Sequence, residues 1–355
     1  MLIGPLTPPY TGQSVAFSYL KKIETNELDL EFHNTQRFRN SFSNYFSSVF
    51  FLPLKILCSS YALIYFIGSR SKFGFLRQFP FLLISIILRK KIINHLHGAD
   101  FYDFYQNSTF LKPFVKLCYD RVNTSIVLLE PMKKEFVDFP QMKLEVIPNA
   151  YEANFDFSKI IFPKPKNILY LSNIMASKGI LEFLDAAYIL LKENSDLTIS
   201  IAGDFIGDHL KKKSQIQKIF YLYYNPLKDK YKERINYFGV LSGRKKKELF
   251  LKNSIFILPT YYPTEAFPIS IIEAMKTGNA IITTKHNYLG QIINQRNGCL
   301  IAKHSTGEIV DATKLLINDI TLLQQIQEYN IQISSKEYTL ANYLTKVKKI
   351  IYDGV

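Results

Sequence analysis

Short apolar runs alternate with longer periodic segments along this chain. Leu2-Ile3-Gly4 is an apolar run followed by the turn residues Pro8-Pro9-Tyr10-Thr11-Gly12, which predicts a strand, a loop and a helix over about residues 13–22. Residues 62–68, 92–98, 125–129 and 144–149 read as strands, and 73–88 and 110–119 as helices. Residues 151–166 carry no clear period, and Pro163-Lys-Pro165-Lys within them suits a stiff, charged linker. The alternation then resumes. Strands are expected at 167–171, 197–202, 235–238, 254–258 and 280–283, and helices at 179–192, 244–251 and 269–277. A last helix is expected over 336–352, with Leu340, Tyr343, Leu344, Val347 and Ile351 at helical spacing. Strands alternating with helices predict parallel sheets covered on both faces, so the fold class is α/β. The pattern divides into a lobe over 1–155, a lobe over 165–335 and a terminal helix within 336–355.

Composition narrows the class. The 355 residues are 47% hydrophobic and 21% charged, which excludes a disordered tail, a collagen-like chain and a coiled-coil rod. Lys plus Arg number 44 against 30 Asp plus Glu, and the net charge of +14 points to anionic partners. A nucleic-acid binder should gather its basic residues in one stripe with exposed aromatics; here they are scattered, so no nucleic acid is expected. The cysteines at 58, 118 and 299 form neither a disulfide framework nor a zinc cluster, which favours a reducing compartment. The first residues lack a basic region and meet two prolines at once, unlike a secretory signal. The apolar stretch 50–68 is interrupted by Pro53, Lys55 and Cys-Ser-Ser, and 78–88 is shorter than the ~20 residues a membrane-spanning helix needs.

One charge asymmetry stands out. Residues 32–99 contain no Asp or Glu but nine basic residues, interleaved with Phe42, Tyr45, Phe46, Phe50, Phe51, Phe75, Phe79 and Phe81. Such a surface suits an anionic lipid leaflet, where each nearby Lys or Arg contributes ~1 kcal/mol. Short amphipathic segments would lie on the bilayer. The plainer account is that most of these aromatics are core and the charges merely coat the lobe.

Ligands of open α/β sheets bind beyond the carboxyl ends of the strands, and four loops there carry unusual residues. In the loop from Asn173 to Gly179, Lys178 sits where a helix begins, next to a positive dipole end, a cost that vanishes if an anion is shared between the ammonium and the backbone amides. A solvated lysine after a Ser cap is the bland alternative. In Glu265-Ala-Phe267-Pro268-Ile269-Ser270-Ile-Ile-Glu273, a rigid loop opens a helix that Gly278 stops. The amides near Ile269 and Ser270 would suit phosphate, and the two carboxylates sugar hydroxyls. His95 and His97 end a strand on the same face, and His95 reads as a core histidine. The fourth loop, ending at Gly12, lets backbone approach a ligand, although a tight structural turn explains it equally well.

In combination these loops resemble retaining glycosyltransferases of family 4, which have the GT-B fold. The strongest match is Glu265 to Gly278, with the family's two glutamates separated by seven intervening residues and a Glu-Ala-Met ending. Ser177-Lys178-Gly179 is similar to the donor-phosphate loop, Val146-Ile-Pro-Asn149 to the segment that closes the first domain, and Pro8 to Ser14 to the N-terminal glycine loop. The resemblance implies two Rossmann-like domains facing each other across a cleft, with the terminal helix crossing back to the first. It implies a nucleotide-diphosphate sugar, UDP- or GDP-linked, as donor substrate, with no cofactor and no metal. Lys178 would hold the diphosphate, Glu273 the ribose and Glu265 the transferred hexose, and His97 would contact that sugar. Gly12, Asn173, Phe267, Ile269 and Ser270 would complete the donor site.

The chain departs from the family at Ser172-Asn173, where Gly-Arg is usual, so one phosphate-binding cation must come from elsewhere, with Arg244 or a residue of the first lobe as candidates. The expected role is transfer to a glycan acceptor, lipid-linked, in surface-polysaccharide synthesis, by a cytoplasmic enzyme peripheral on the inner face of the membrane. A non-catalytic sugar-nucleotide-binding scaffold and a GT-B epimerase are the competing readings.

Overall fold

The computed structural model describes residues 1–24, 28–38, 40–155 and 166–354, and the proposed linker at 163–166 lies almost wholly outside them. The chain forms two compact units, Met1–Asn149 with Leu340–Val355, and Ala150–Thr339.

The first unit is built on six parallel strands: β1 (Leu2–Gly4), β2 (Phe32–Asn34), β3 (Leu63–Ile67), β4 (Lys91–His95), β5 (Thr124–Val127) and β6 (Lys143–Val146). Their order is β2-β1-β3-β4-β5-β6. All five residues of β3 are buried, because a parallel sheet covered on both faces needs apolar side chains on both. β2 is not among the expected strands. Its Phe-His-Asn is too short and too polar to read as a run, and it is a strand because it pairs with β1 from Leu2↔Phe32 to Gly4↔Asn34. The helix Lys72–Ile87 matches the expected 73–88; Ser71 accepts a hydrogen bond from the Gly74 N–H at 3.2 Å and starts it.

The second unit has β7 (Asn167–Leu171), β8 (Thr198–Ala202), β9 (Ile235–Tyr237), β10 (Ile255–Leu258), β11 (Ala280–Thr284) and β12 (Gly298–Ile301), all parallel, in the order β12-β11-β10-β7-β8-β9. Sequence order reverses between β7 and β10, so the loops after these two strands leave the sheet at its topological switch point. The helices Lys213–Tyr231, Thr306–Asn318 and Ile320–Glu337 are not among the expected elements, nor is β12. The first of them carries Pro226 inside and exposes Leu222 and Tyr223, which blurs its apolar face.

Two boundaries differ from expectation. Residues 150–155 belong to the second unit: Tyr151 donates its N–H to the Tyr338 carbonyl at 3.1 Å, and Phe155 packs on Phe250 at 5.7 Å between centroids. The terminal helix begins at Leu340, because Lys336 and Glu337 end the helix before it. From Leu340 to Asp353 this helix packs on the first unit. Tyr343 is buried there, donates to the Ala16 carbonyl at 3.3 Å and sets its ring against Tyr19. No helix among the described residues is long and apolar enough to cross a membrane.

Candidate active site

The two switch-point loops of the second unit meet. Tyr261, just after β10, donates its N–H to the carbonyl of Ser177, just after β7, at 2.8 Å. Gly179 adopts φ +74°, and a Cβ there would sit 2.2 Å from the Pro259 carbonyl oxygen, so this contact is made through glycine alone. The stitched loops bring together residues 87 positions apart: the Lys178 ammonium is ion-paired with Oε2 of Glu265. Both side chains are largely buried, the Thr260 hydroxyl lies 3.1 Å from the same carboxylate oxygen, and the Tyr262 ring centroid is 5.0 Å from the ammonium.

Asp208 fixes the lysine loop from below. Its carboxylate accepts the Ser177 N–H at 2.8 Å, the Ser177 hydroxyl at 2.7 Å, and the N–H groups of Leu210 and Lys211 at 2.9 and 2.8 Å. Partial burial opposes ionisation, but these donors outweigh it and hold Asp208 below the usual carboxylate range.

Glu273 lies in the helix Ile269–Lys276, whose N-cap Pro268 supplies no side-chain cap to the first amides. Glu273 is fully buried, and Lys246 donates to its Oε1 at 2.6 Å, with Glu152 3.6 Å from the same ammonium. The second oxygen, Oε2, is buried without a hydrogen-bond partner among the described residues. Burial raises the Glu273 carboxyl to about 7, a rise that Lys246 partly offsets. A buried acceptor left unpaired is costly, and a ligand hydroxyl would satisfy it.

In the first unit, His95 and His97 stack with ring centroids 4.1 Å apart. His95 is a core histidine whose Nδ1 meets the Tyr65 hydroxyl at 2.5 Å. Neither ring nitrogen of His97 has a partner among the described residues, and burial, aided by Arg70, lowers its pKa to about 3, so the ring is neutral. Arg70 pairs with Asp100 at 2.5 Å and passes over Gly98, where a Cβ would collide with its guanidinium. Gly12 is exposed at the start of the helix Gly12–Tyr19, and a Cβ there would touch nothing. Packing therefore does not require glycine at this position, while Thr11 and Ser14 cap the helix start reciprocally.

The site residues fall into three groups. Lys178 and Glu265 are in contact, and Glu273 follows in the same loop-and-helix segment. Asn173, in its loop, and Ser270, in the first turn of its helix, are half-buried, whereas Ile269 and Phe267 are buried, the latter with its ring 5.2 Å from Tyr338. His97 and Gly12 belong to the other unit. Arg244, one candidate for the substitute phosphate cation, has a side chain 90% exposed that pairs with Glu248 one turn on. The buried cation of that helix is Lys246. Nothing in the run Arg244-Lys-Lys246-Lys distinguishes it, since only packing decides which of four basic residues points inward. Asp208 and Thr260 go unseen in the sequence for the same reason.

Residues 152–333 match the family model for glycosyl transferases group 1, and the chain belongs to that family. The alpha-D-kanosaminyltransferase of Streptomyces kanamyceticus is 23% identical over 175 residues, a stretch covering 49% of this chain and 42% of that protein. Among solved structures, Anabaena HepE in complex with UDP and glucose matches with a TM-score of 0.73 at 16% identity over 99% of both chains. Sucrose-phosphate synthase from Thermosynechococcus elongatus matches with a TM-score of 0.71 at 13% identity over 99% of this chain and 98% of its own. At these identities the likeness is one of fold, and the fold is GT-B.

Proposed function

We propose that the chain transfers a hexose, with retention of anomeric configuration, from a UDP- or GDP-linked sugar to a glycan acceptor. The observation that carries this reading is the buried contact of Lys178 with Glu265 at the switch point of the second sheet. A cation and a sugar-binding carboxylate side by side are what a charged leaving group and its attached sugar require together. HepE, solved with UDP and glucose, shares the fold and supports the choice of ligand class.

As the nucleoside diphosphate departs, negative charge grows on its phosphate oxygens. The Lys178 ammonium and the uncapped amides at Ile269 and Ser270 are assigned to stabilise it. Lys178 would exchange its bond to Glu265 for the phosphate, freeing that carboxylate for the hydroxyls of the sugar. The open Oε2 of Glu273 is assigned to the ribose. His97, neutral and with both ring nitrogens open, is assigned to the transferred sugar. Retention is inferred from the resemblance, the acceptor attacking on the face the diphosphate leaves. The acceptor is read as lipid-linked, met at the inner face of the membrane in surface-polysaccharide synthesis, and the acid-free, basic segment 32–99 supports that reading.

A ligand-observed NMR screen of UDP, GDP, ADP and CMP sugars tests the donor. Saturation transfer to a UDP or GDP sugar that Lys178→Ala removes is the expected result. Binding by none of them overturns the proposal. Donor isomerisation without acceptor would favour an epimerase instead.

A further inference from the structure

Residues 41–57 form one continuous helix in three stretches: α-helical over Ser41–Phe46, a π-turn over Ser47–Phe51, and α-helical again over Leu52–Leu57. Its two faces are sharply divided. Ser48, Leu52 and Ile56 are buried, and this inner face packs beside the helix Lys72–Ile87. Phe42, Phe46, Phe50, Leu54 and Leu57 are exposed, with Phe51 beside them. The rings of Phe46 and Phe50 lie 4.6 Å apart and those of Phe46 and Phe51 5.7 Å, so the exposed aromatics form a cluster and not scattered tips. Contiguous exposed apolar surface on this scale marks an interaction site.

The π-turn explains why the exposed side chains line up. Residues 42, 46, 50 and 54 recur every four positions. In an unbroken α-helix each such step turns by about 40°, so three steps would carry the last side chain roughly 120° around the axis. One extra residue accommodated in a π-turn sets the rotation back by about 100°. The turn at Ser47–Phe51 thus keeps Phe42, Phe46, Phe50 and Leu54 in a near-straight stripe along the helix.

The charge around the stripe identifies its occupant. No acidic residue occurs anywhere in residues 32–99, while Arg37 and Lys72 are exposed and Phe73, at the start of the neighbouring helix, is 80% exposed. Lys55, on the helix itself, is paired with Glu31 and adds little. We propose that residues 41–57 lie flat in an anionic lipid leaflet, with the stripe Phe42-Phe46-Phe50-Leu54 inserted among the acyl chains and Arg37 and Lys72 at the headgroups. The helix is an in-plane anchor of the kind that binds through apolar burial plus attraction to anionic lipid. This deepens the reading of a lipid-linked acceptor, on which it rests, by naming the element that meets the membrane.

The chain contains no tryptophan, so Phe50→Trp supplies a single reporter on the stripe. Full-length Phe50→Trp is titrated with phosphatidylcholine vesicles, with and without phosphatidylglycerol, with Tyr188→Trp in the second unit as control. The expected result is a blue shift of the indole emission of Phe50→Trp with anionic vesicles, reversed by salt, and none for the control. Co-sedimentation of Phe46→Glu/Phe50→Glu, both exposed positions, should fall roughly tenfold or more. No shift on any vesicle, or an equal shift on neutral ones, overturns the proposal. A shift that grows with protein concentration without lipid means that a second copy covers the stripe, and also overturns it. UDP titration of the same variants keeps the readings apart: vesicle binding without nucleotide binding would sink the transferase reading alone.

Discussion

The Lys246 ammonium lies 2.6 Å from Oε1 of Glu273, a carboxyl with no solvent exposure. Burial pulls this carboxyl toward its neutral form and the ammonium pulls it back, so the pair determines whether Glu273 accepts or donates hydrogen bonds.

Nucleoside diphosphate affinity should therefore depend on pH near neutrality. Glu273 titrates at about 7, against an ordinary 4.5. As a carboxylate it accepts ribose hydroxyls, so affinity should weaken as pH falls below 7. Lys246→Met removes the offsetting cation and should move the weakening to higher pH, whereas Glu273→Gln should flatten it. Calorimetric titration of UDP or GDP across this range decides. The folded value is raised, so this group's stabilisation is full below pH 4.5 and is lost as pH rises through about 7. Donor affinity and the stability of the free protein should thus respond to pH in opposite directions.

Lys178→Ala should weaken nucleoside diphosphate binding by roughly 1.5–3 kcal/mol, the contribution of a charge-assisted hydrogen bond. Glu265→Gln should leave that affinity close to the parent while turnover falls steeply. A Glu265→Gln enzyme that transfers sugar at the parent rate refutes the role assigned to this carboxylate.

Gly179→Ala tests the stitching of the two loops. The new methyl meets the Pro259 carbonyl at 2.2 Å in a left-handed backbone conformation, which should cost roughly 2 kcal/mol or more. Chemical denaturation should show the loss, and donor affinity should fall with it because Lys178 is the adjacent residue.

His97→Ala should separate binding from turnover. The residue belongs to the first unit, so nucleoside diphosphate affinity of the second should change little while transfer slows. Equal loss of both would place His97 in the fold and not in the chemistry. Tyr65→Phe removes the hydroxyl that meets His95 and should produce a smaller loss in the same direction.

Much of the fold is legible in the sequence because burial leaves a period. β7 matches the expected strand residue for residue, and the helices after β7 and β10 lie within a residue of their expected bounds. The elements that escape lack a clean period for identifiable reasons. β2 is held by its register with β1, and the helix over 41–57 presents aromatics outward, against the usual rule. Of the aromatics interleaved with the basic residues, Phe75 and Phe81 are core as the plainer account expects, whereas Phe42, Tyr45, Phe46, Phe50 and Phe51 are exposed.

The sequence by itself determined most of the strands, the alternation that defines the α/β class, the two-lobed division and the loops that carry Lys178, Glu265 and Glu273, because apolar periodicity and turn chemistry are local properties. Only the tertiary structure decided which charges meet. The pairing of Lys178 with Glu265 depends on β7 and β10 lying side by side, although strands β8 and β9 separate them in the chain. The choice of Lys246 over Arg244 depends on which side of a nine-residue helix faces inward. An ion pair is fixed by distance in space, and the sequence supplies that distance only through the fold.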